Sequence, residues 1–137
     1  MATLLKLLVV EDDADGRDPL MELFALEGYD ATSVGDGATA IERLSAEAFD
    51  VLVMDLGLPK VTGLDVLRAA RALADPPAVI VFTGHHRLKA EAEAAGCDAF
   101  VLKPELEELL ARVSTAIAER VGRMPPAAVA AGWKERA

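Results

Sequence analysis

Four short, almost uninterrupted apolar runs punctuate the chain: Leu4 to Val10, Asp50 to Met54, Ala78 to Phe82 and Ala99 to Leu102. They have strand length, and Val, Leu and Ile dominate them. A sheet with one wet face would alternate apolar and polar residues, so runs like these belong to strands covered on both faces, as in a parallel sheet flanked by helices. Tyr29 to Val34 is more polar and reads as an edge strand.

Helical periods fill the gaps. Leu20, Leu23, Phe24 and Leu26 mark a first helix, with Asp18 as its expected N-cap, Pro19 at its first position and Gly28 as its stop. Gly16 and Pro19 together suggest a late or irregular start. Ala40, Ile41 and Leu44 form a second stripe within Asp36 to Glu47, and Leu64, Leu67 and Ala70 a third within Gly63 to Ala74, which stops before Pro76 and Pro77. Arg87 to Ala95 is short, alanine-rich and closed by Gly96. In the last stretch Leu106, Leu109, Leu110, Val113, Ile117 and Val121 follow the i, i+3, i+4, i+7 spacing of a helix face. A strand–helix unit therefore recurs five times, which predicts an α/β fold: (βα)5, a doubly wound parallel five-stranded sheet with right-handed crossovers. Ligands of such sheets bind beyond the carboxyl ends of the strands, where the strand order reverses.

With 137 residues, one domain is expected, over residues 1–121; residues 122–137, GRMPPAAVAAGWKERA, read as a tail or linker remnant. The net charge of −9 argues against direct nucleic-acid binding, which needs clustered Lys and Arg. A single cysteine, Cys97, excludes an internal disulfide, a four-Cys zinc site and a CxxC motif. No apolar run approaches the roughly 20 residues that span a bilayer. The opening MATLLKLLVV lacks a basic n-region and meets Glu11, Asp12 and Asp13 instead of a cleavage site. A cytoplasmic protein without membrane insertion is expected.

The carboxyl ends of the apolar runs carry the chemistry. Glu11, Asp12 and Asp13 follow the first, Asp55 follows the second long run, and Thr83 and Lys103 follow the last two. Taken singly, acids after a strand cap helices, a threonine ends a strand, and a lysine is solvated. Converging on one rim, they form a candidate site. Carboxylates crowded in a crevice must protonate, separate or bind a cation, and Mg2+, with Mn2+ as a substitute, suits a few carboxylates, water and a phosphoryl group. An aspartate there can attack phosphorus to give an aspartyl phosphate, with an ammonium and a hydroxyl sharing the charge of the phosphoryl oxygens. His85 and His86 are adjacent, not at ligand spacing, and read as a solvated loop. Cys97 reads as a small buried side chain. Trp133, in the tail, is either frayed or a docking segment.

From LLVVEDD through VLVMDLGLPKVTG and VIVFTG to AGCDAFVLKP, over about residues 4 to 120, the chain resembles a response-regulator receiver domain of two-component signalling. The resemblance implies a flavodoxin-like sheet of strand order 2-1-3-4-5. It implies that Asp55, four residues before Pro59, is the phosphoacceptor; that Asp12 binds metal directly and Glu11 through water; and that the backbone carbonyl of Gly57 is a further ligand. Thr83 would be the switch hydroxyl, Lys103 the partner of the phosphoryl group, Phe100 the aromatic switch residue, and the peptide before Pro104 cis. Asp13 would be an extra acid. A sensor histidine kinase or histidine phosphotransfer protein would supply the phosphoryl group. Self-catalysed phosphorylation and hydrolysis would give enzymatic character without a conventional enzyme. The output would be contact with a downstream protein, and a homodimer is compatible with the surface.

Several residues depart from the pattern of that family. The stretch from Thr83 to Gly96 is short, so a reshaped fourth helix is expected. Phe100 stands where Tyr is commoner, and Gly84 where Ala is. Gly57 lacks a side chain, which predicts an open approach to Asp55, a short-lived phosphoryl state, and a longer one in Gly57→Met. Two other readings stay open: a receiver-fold interaction module acting without phosphorylation, and a Mg2+-dependent phosphatase with an aspartate nucleophile. The latter's haloacid-dehalogenase-like pattern wants a second Asp at position 57, where this chain has Gly.

Overall fold

The computed structural model describes residues 5–122; residues 1–4 and 123–137, including Leu4, Trp133 and nearly all of the expected tail, lie outside the described residues. Five strands, β1 (Lys6–Val10), β2 (Asp30–Val34), β3 (Val51–Met54), β4 (Ala78–Thr83) and β5 (Ala99–Leu102), alternate with five helices. The helices are α1 (Ala14–Leu26), α2 (Gly37–Ala46), α3 (Gly63–Arg71), α4 (Lys89–Ala94) and α5 (Leu106–Gly122). All strand pairs are parallel, in the order β2-β1-β3-β4-β5. The expected α/β sheet, its strand order and the edge position of the polar strand β2 are therefore present.

Alternate residues of each strand serve opposite faces, as the pleat requires. Leu8, Val10, Leu52, Met54, Val79 and Val81 pack under α2, α3 and α4, against residues such as Ala40, Leu44, Leu67 and Ala92. Leu7, Val9, Val53 and Ile80 pack on the other face against Leu20 and Phe24 of α1 and Leu109 and Val113 of α5. This double covering is why the strands lack alternation. The stripe on α5 is narrower than its spacing predicts: Leu109 and Val113 are wholly buried, Leu110 and Ile117 partly so, and Leu106 is exposed. Among the described residues, no helix is long and apolar enough to cross a membrane.

The start of α1 differs from expectation. Asp13, not Asp18, is the N-cap: its carboxylate accepts from the Asp15 N–H at 3.0 Å. Pro19 consequently lies inside the helix. The earlier cap satisfies donors that Asp18 would have left orphaned, and burial of Leu20 and Phe24 offsets the hydrogen bond Pro19 cannot make. Asp36 caps α2 through the Thr39 N–H at 2.7 Å. Thr62 and Asp65 cap α3 reciprocally. The fourth helix is indeed short: a 3-10 turn at His86–Leu88 precedes the six residues of α4.

Candidate functional site

Register brings the polar strand ends together. Val10 is paired with Met54, so Glu11 and Asp55 leave the sheet side by side from β1 and β3. Between these two strands the chain order reverses, which opens the crevice. Thr83 is paired with Leu102, which delivers Lys103 to the same rim. Gly63 holds the start of α3 against this end of β3: a β-carbon there would lie 2.6 Å from the Asp55 carbonyl oxygen, closer than any side chain tolerates.

Asp55 is only 8% exposed, and three groups donate to its carboxylate. Its Oδ1 accepts from the Thr83 hydroxyl at 2.6 Å and from the Gly57 N–H at 3.0 Å; its Oδ2 accepts from Lys103 Nζ at 2.8 Å. The same ammonium donates to Glu11 Oε2 at 2.5 Å, so one cation bridges two buried carboxylates. Glu11 Oε1 accepts from the Asp13 N–H.

Burial pushes the Asp55 carboxyl upward, but the hydrogen bonds from Lys103, Thr83 and Gly57 outweigh it and hold the group below the ordinary Asp range. For Glu11 burial wins over the hydrogen bond from Lys103, and the carboxyl sits above its ordinary range. Burial alone would lower Lys103, yet its bonds to Asp55 and Glu11 raise it. Asp55 is thus a carboxylate kept ionised while largely out of water, the state a nucleophile toward phosphorus needs.

Carboxylate oxygens of Glu11, Asp12 and Asp55 lie within 4.8 Å of one another, with Asp12 exposed and the other two buried. Three oxygen donors at the mouth of a crevice suit a hard divalent cation that keeps several waters, as Mg2+ does. Asp13 does not join them; it caps α1.

The other residues singled out in the sequence fall as follows. Thr83 is fully buried. Phe100 is partly buried on β5 and borders a cavity of about 230 Å³ together with His86, Lys89 and Leu102. The Lys103–Pro104 peptide is cis. His85 and His86 are exposed in the loop after β4. Burial, with Glu93 and Asp98 nearby, pushes the Cys97 thiol up, so it is not a reactive thiolate. The place of a side chain on Gly57 is not empty, however. The imidazole of His85 occupies it, with Nε2 only 2.5 Å from where a β-carbon of residue 57 would sit. Sequence adjacency to Thr83 was the one signal for His85, and nothing in it pointed to a glycine 28 residues earlier.

The model of the response regulator receiver domain matches residues 7–114, which contain every residue of this crevice. The chain belongs to that family. This receiver domain is 37% identical over 121 residues to the two-component response regulator PhoP of Pseudomonas aeruginosa, an alignment covering 86% of this chain and 54% of that protein. The chain spans about half the length of the curated relatives it matches. Among solved structures, the receiver domain of the Francisella response regulator 1452 superposes with a TM-score of 0.78 at 27% identity, covering 85% of this chain and 98% of that one. The CheY-like receiver domain protein of Methanospirillum hungatei JF-1 reaches 0.84 at 24% identity, covering 89% and 100%, a likeness of fold alone.

Proposed function

We propose that this receiver domain is a phosphoacceptor switch: Asp55 takes a phosphoryl group from a sensor histidine kinase or histidine phosphotransfer protein, in a Mg2+-dependent reaction, and the modification alters a protein-interaction surface. One observation carries the reading. Asp55 is buried and bonded at both oxygens by groups that can follow a phosphoryl oxygen, Lys103 and Thr83.

An oxygen of Asp55 bonds to phosphorus as the phosphorus–nitrogen bond of the donor phosphohistidine breaks, and the imidazole leaves with that electron pair. Mg2+, when bound, offsets the negative charge of the phosphoryl oxygens. Asp12 would hold it directly, together with Asp55 and the Gly57 carbonyl, and Glu11 through water. The Lys103 ammonium would pass from the Asp55 carboxylate to a phosphoryl oxygen. Thr83 would turn its hydroxyl from Oδ1 to another, and Phe100 would repack behind it, changing the surface of α4, β5 and α5. Hydrolysis at the same site would reset the switch. The downstream partner is a protein, and the setting is the cytoplasm, where such kinases deliver their phosphoryl groups.

Incubation with acetyl phosphate and Mg2+, followed by intact mass, should give a single phosphoryl adduct that disappears in Asp55→Ala and without metal. No adduct under conditions that label a known receiver would favour an interaction module that works without phosphorylation.

A further inference from the structure

Asp12 is the exposed member of the three acids in the crevice, and among the described residues its side chain has no hydrogen bond or ion pair. Its main chain must therefore place it. The peptide joining Glu11 to Asp12 is planar, so holding its carbonyl holds the two Cα atoms from which both acids hang. The Glu11 N–H donates to the Val34 carbonyl at 3.2 Å, which ties the end of β1 to the end of β2. The Glu11 carbonyl accepts from Arg17 Nη1 at 2.9 Å. Arg17 can turn back in this way because α1 is capped by Asp13: its own N–H donates to the Asp13 carbonyl at 2.9 Å, which puts it in the turn directly after the acids. The guanidinium also lies against Gly35, in the loop before α2, where a β-carbon would stand 3.0 Å from the same Nη1, tighter than ordinary contact. One half-buried cation thus spans the loops that follow β1 and β2.

We propose that Arg17 is a positioning residue of the divalent-cation site: its guanidinium braces the Glu11–Asp12 peptide against the loop after β2 and so keeps the Asp12 carboxylate within reach of the oxygens of Glu11 and Asp55. The proposal rests on the Mg2+-dependent phosphoacceptor reading, and in it Arg17 acts through a backbone carbonyl, not on the reacting atoms. Its charge and its position pull in opposite directions. A guanidinium near a divalent cation repels it, so if charge were all, removing Arg17 would tighten metal binding. If the brace is what counts, removing Arg17 frees the main chain of Asp12. The carboxylates must then be ordered at the moment of binding, and the affinity falls. The sign of the change separates the two roles.

The test uses the full 137-residue chain. Metal-free wild type, Arg17→Gln, Arg17→Ala and Gly35→Val are titrated with Mn2+, the free ion being read by electron paramagnetic resonance at fixed pH and ionic strength. Both Arg17 variants should bind Mn2+ about tenfold more weakly, the scale of losing a group that orients a metal ligand. Gly35→Val keeps the positive charge but crowds the guanidinium off the Glu11 carbonyl, so it should weaken binding in the same direction; it tests the brace even where an Arg17 variant fails to fold. In labelling by acetyl phosphate, the Mg2+ concentration for half-maximal rate should rise by a similar factor, while the rate at saturating Mg2+ should fall far less, a split that general loss of structure would not give. Unchanged or tighter Mn2+ binding in folded Arg17→Gln overturns the brace, and a wild type that still labels at Asp55 then leaves the phosphoacceptor reading intact. A wild type that neither binds Mn2+ nor takes a label removes both.

Discussion

Lys103 keeps two buried carboxylates from facing each other uncompensated. Its side chain is 33% exposed, so removing it should cost less than breaking a fully buried pair and more than breaking a surface one. Lys103→Met is expected to lower stability at neutral pH by about 2–4 kcal/mol, read from urea unfolding. The pH dependence follows from the directions of the shifts. Asp55 is lowered in the folded state, so its contribution is present above its unfolded pKa and lost as pH falls through the folded value. Glu11 is raised, so its ionisation at higher pH works against folding. The gap between wild type and Lys103→Met should therefore narrow on acidification; a gap constant down to the acid range would show that the ammonium is not what holds the pair. Added Mg2+ should recover part of the loss in Lys103→Met at neutral pH. Glu11, Asp55, Thr83 and Lys103 were legible because each is a polar residue directly after an apolar run. His85 was not, because its partner is a glycine, and a missing side chain leaves no mark of who fills its place.

Helix boundaries divide along the same line. Asp36 and Gly63 open their helices where the sequence placed them, since capping depends on a few consecutive residues. In α1 two plausible caps compete, Asp13 and Asp18, and local chemistry favours the one followed by proline. The structure selects Asp13, because the longer helix of 13 residues still buries Leu20 and Phe24 while starting directly after β1. Pro19 then sits where an N–H is wanted. Pro19→Ala should raise stability by about 1–2 kcal/mol, the regained hydrogen bond outweighing the looser unfolded chain. Thermal unfolding would check it, and a loss of stability would mean that proline's restriction of the unfolded chain outweighs the regained hydrogen bond. The short α4 was expected from the length between Thr83 and Gly96, but not its division into a 3-10 turn and six α-helical residues.

Across the whole molecule, chemistry and anchoring occupy opposite ends of the sheet. Far from Asp55, Arg120 of α5 donates from Nη1 to the Pro76 carbonyl at 2.7 Å, and its Nη2 lies 3.5 Å from Asp75. Its Nε stands 3.9 Å from the buried Asp50, just before β3. Arg120→Ala should cost about 2 kcal/mol of stability, with Mg2+-dependent labelling of the remaining folded protein unchanged. Altered labelling would couple the two ends and require a different account. The sequence by itself determined the layers: unbroken apolar runs record that both faces of β1, β3, β4 and β5 are covered, and the polar residue after each run marks the end of the sheet that carries the site. Burial and capping are near-neighbour properties, written in periods of two to a few residues. The strand order followed only from family resemblance, since periodicity does not say that β1 lies between β2 and β3. Tertiary structure alone decided that Glu11 and Asp55, 44 residues apart, share one ammonium, that α1 begins at Asp13, and that His85 covers Gly57. These depend on register and on the sum of packing over distant segments, and no local pattern encodes that sum.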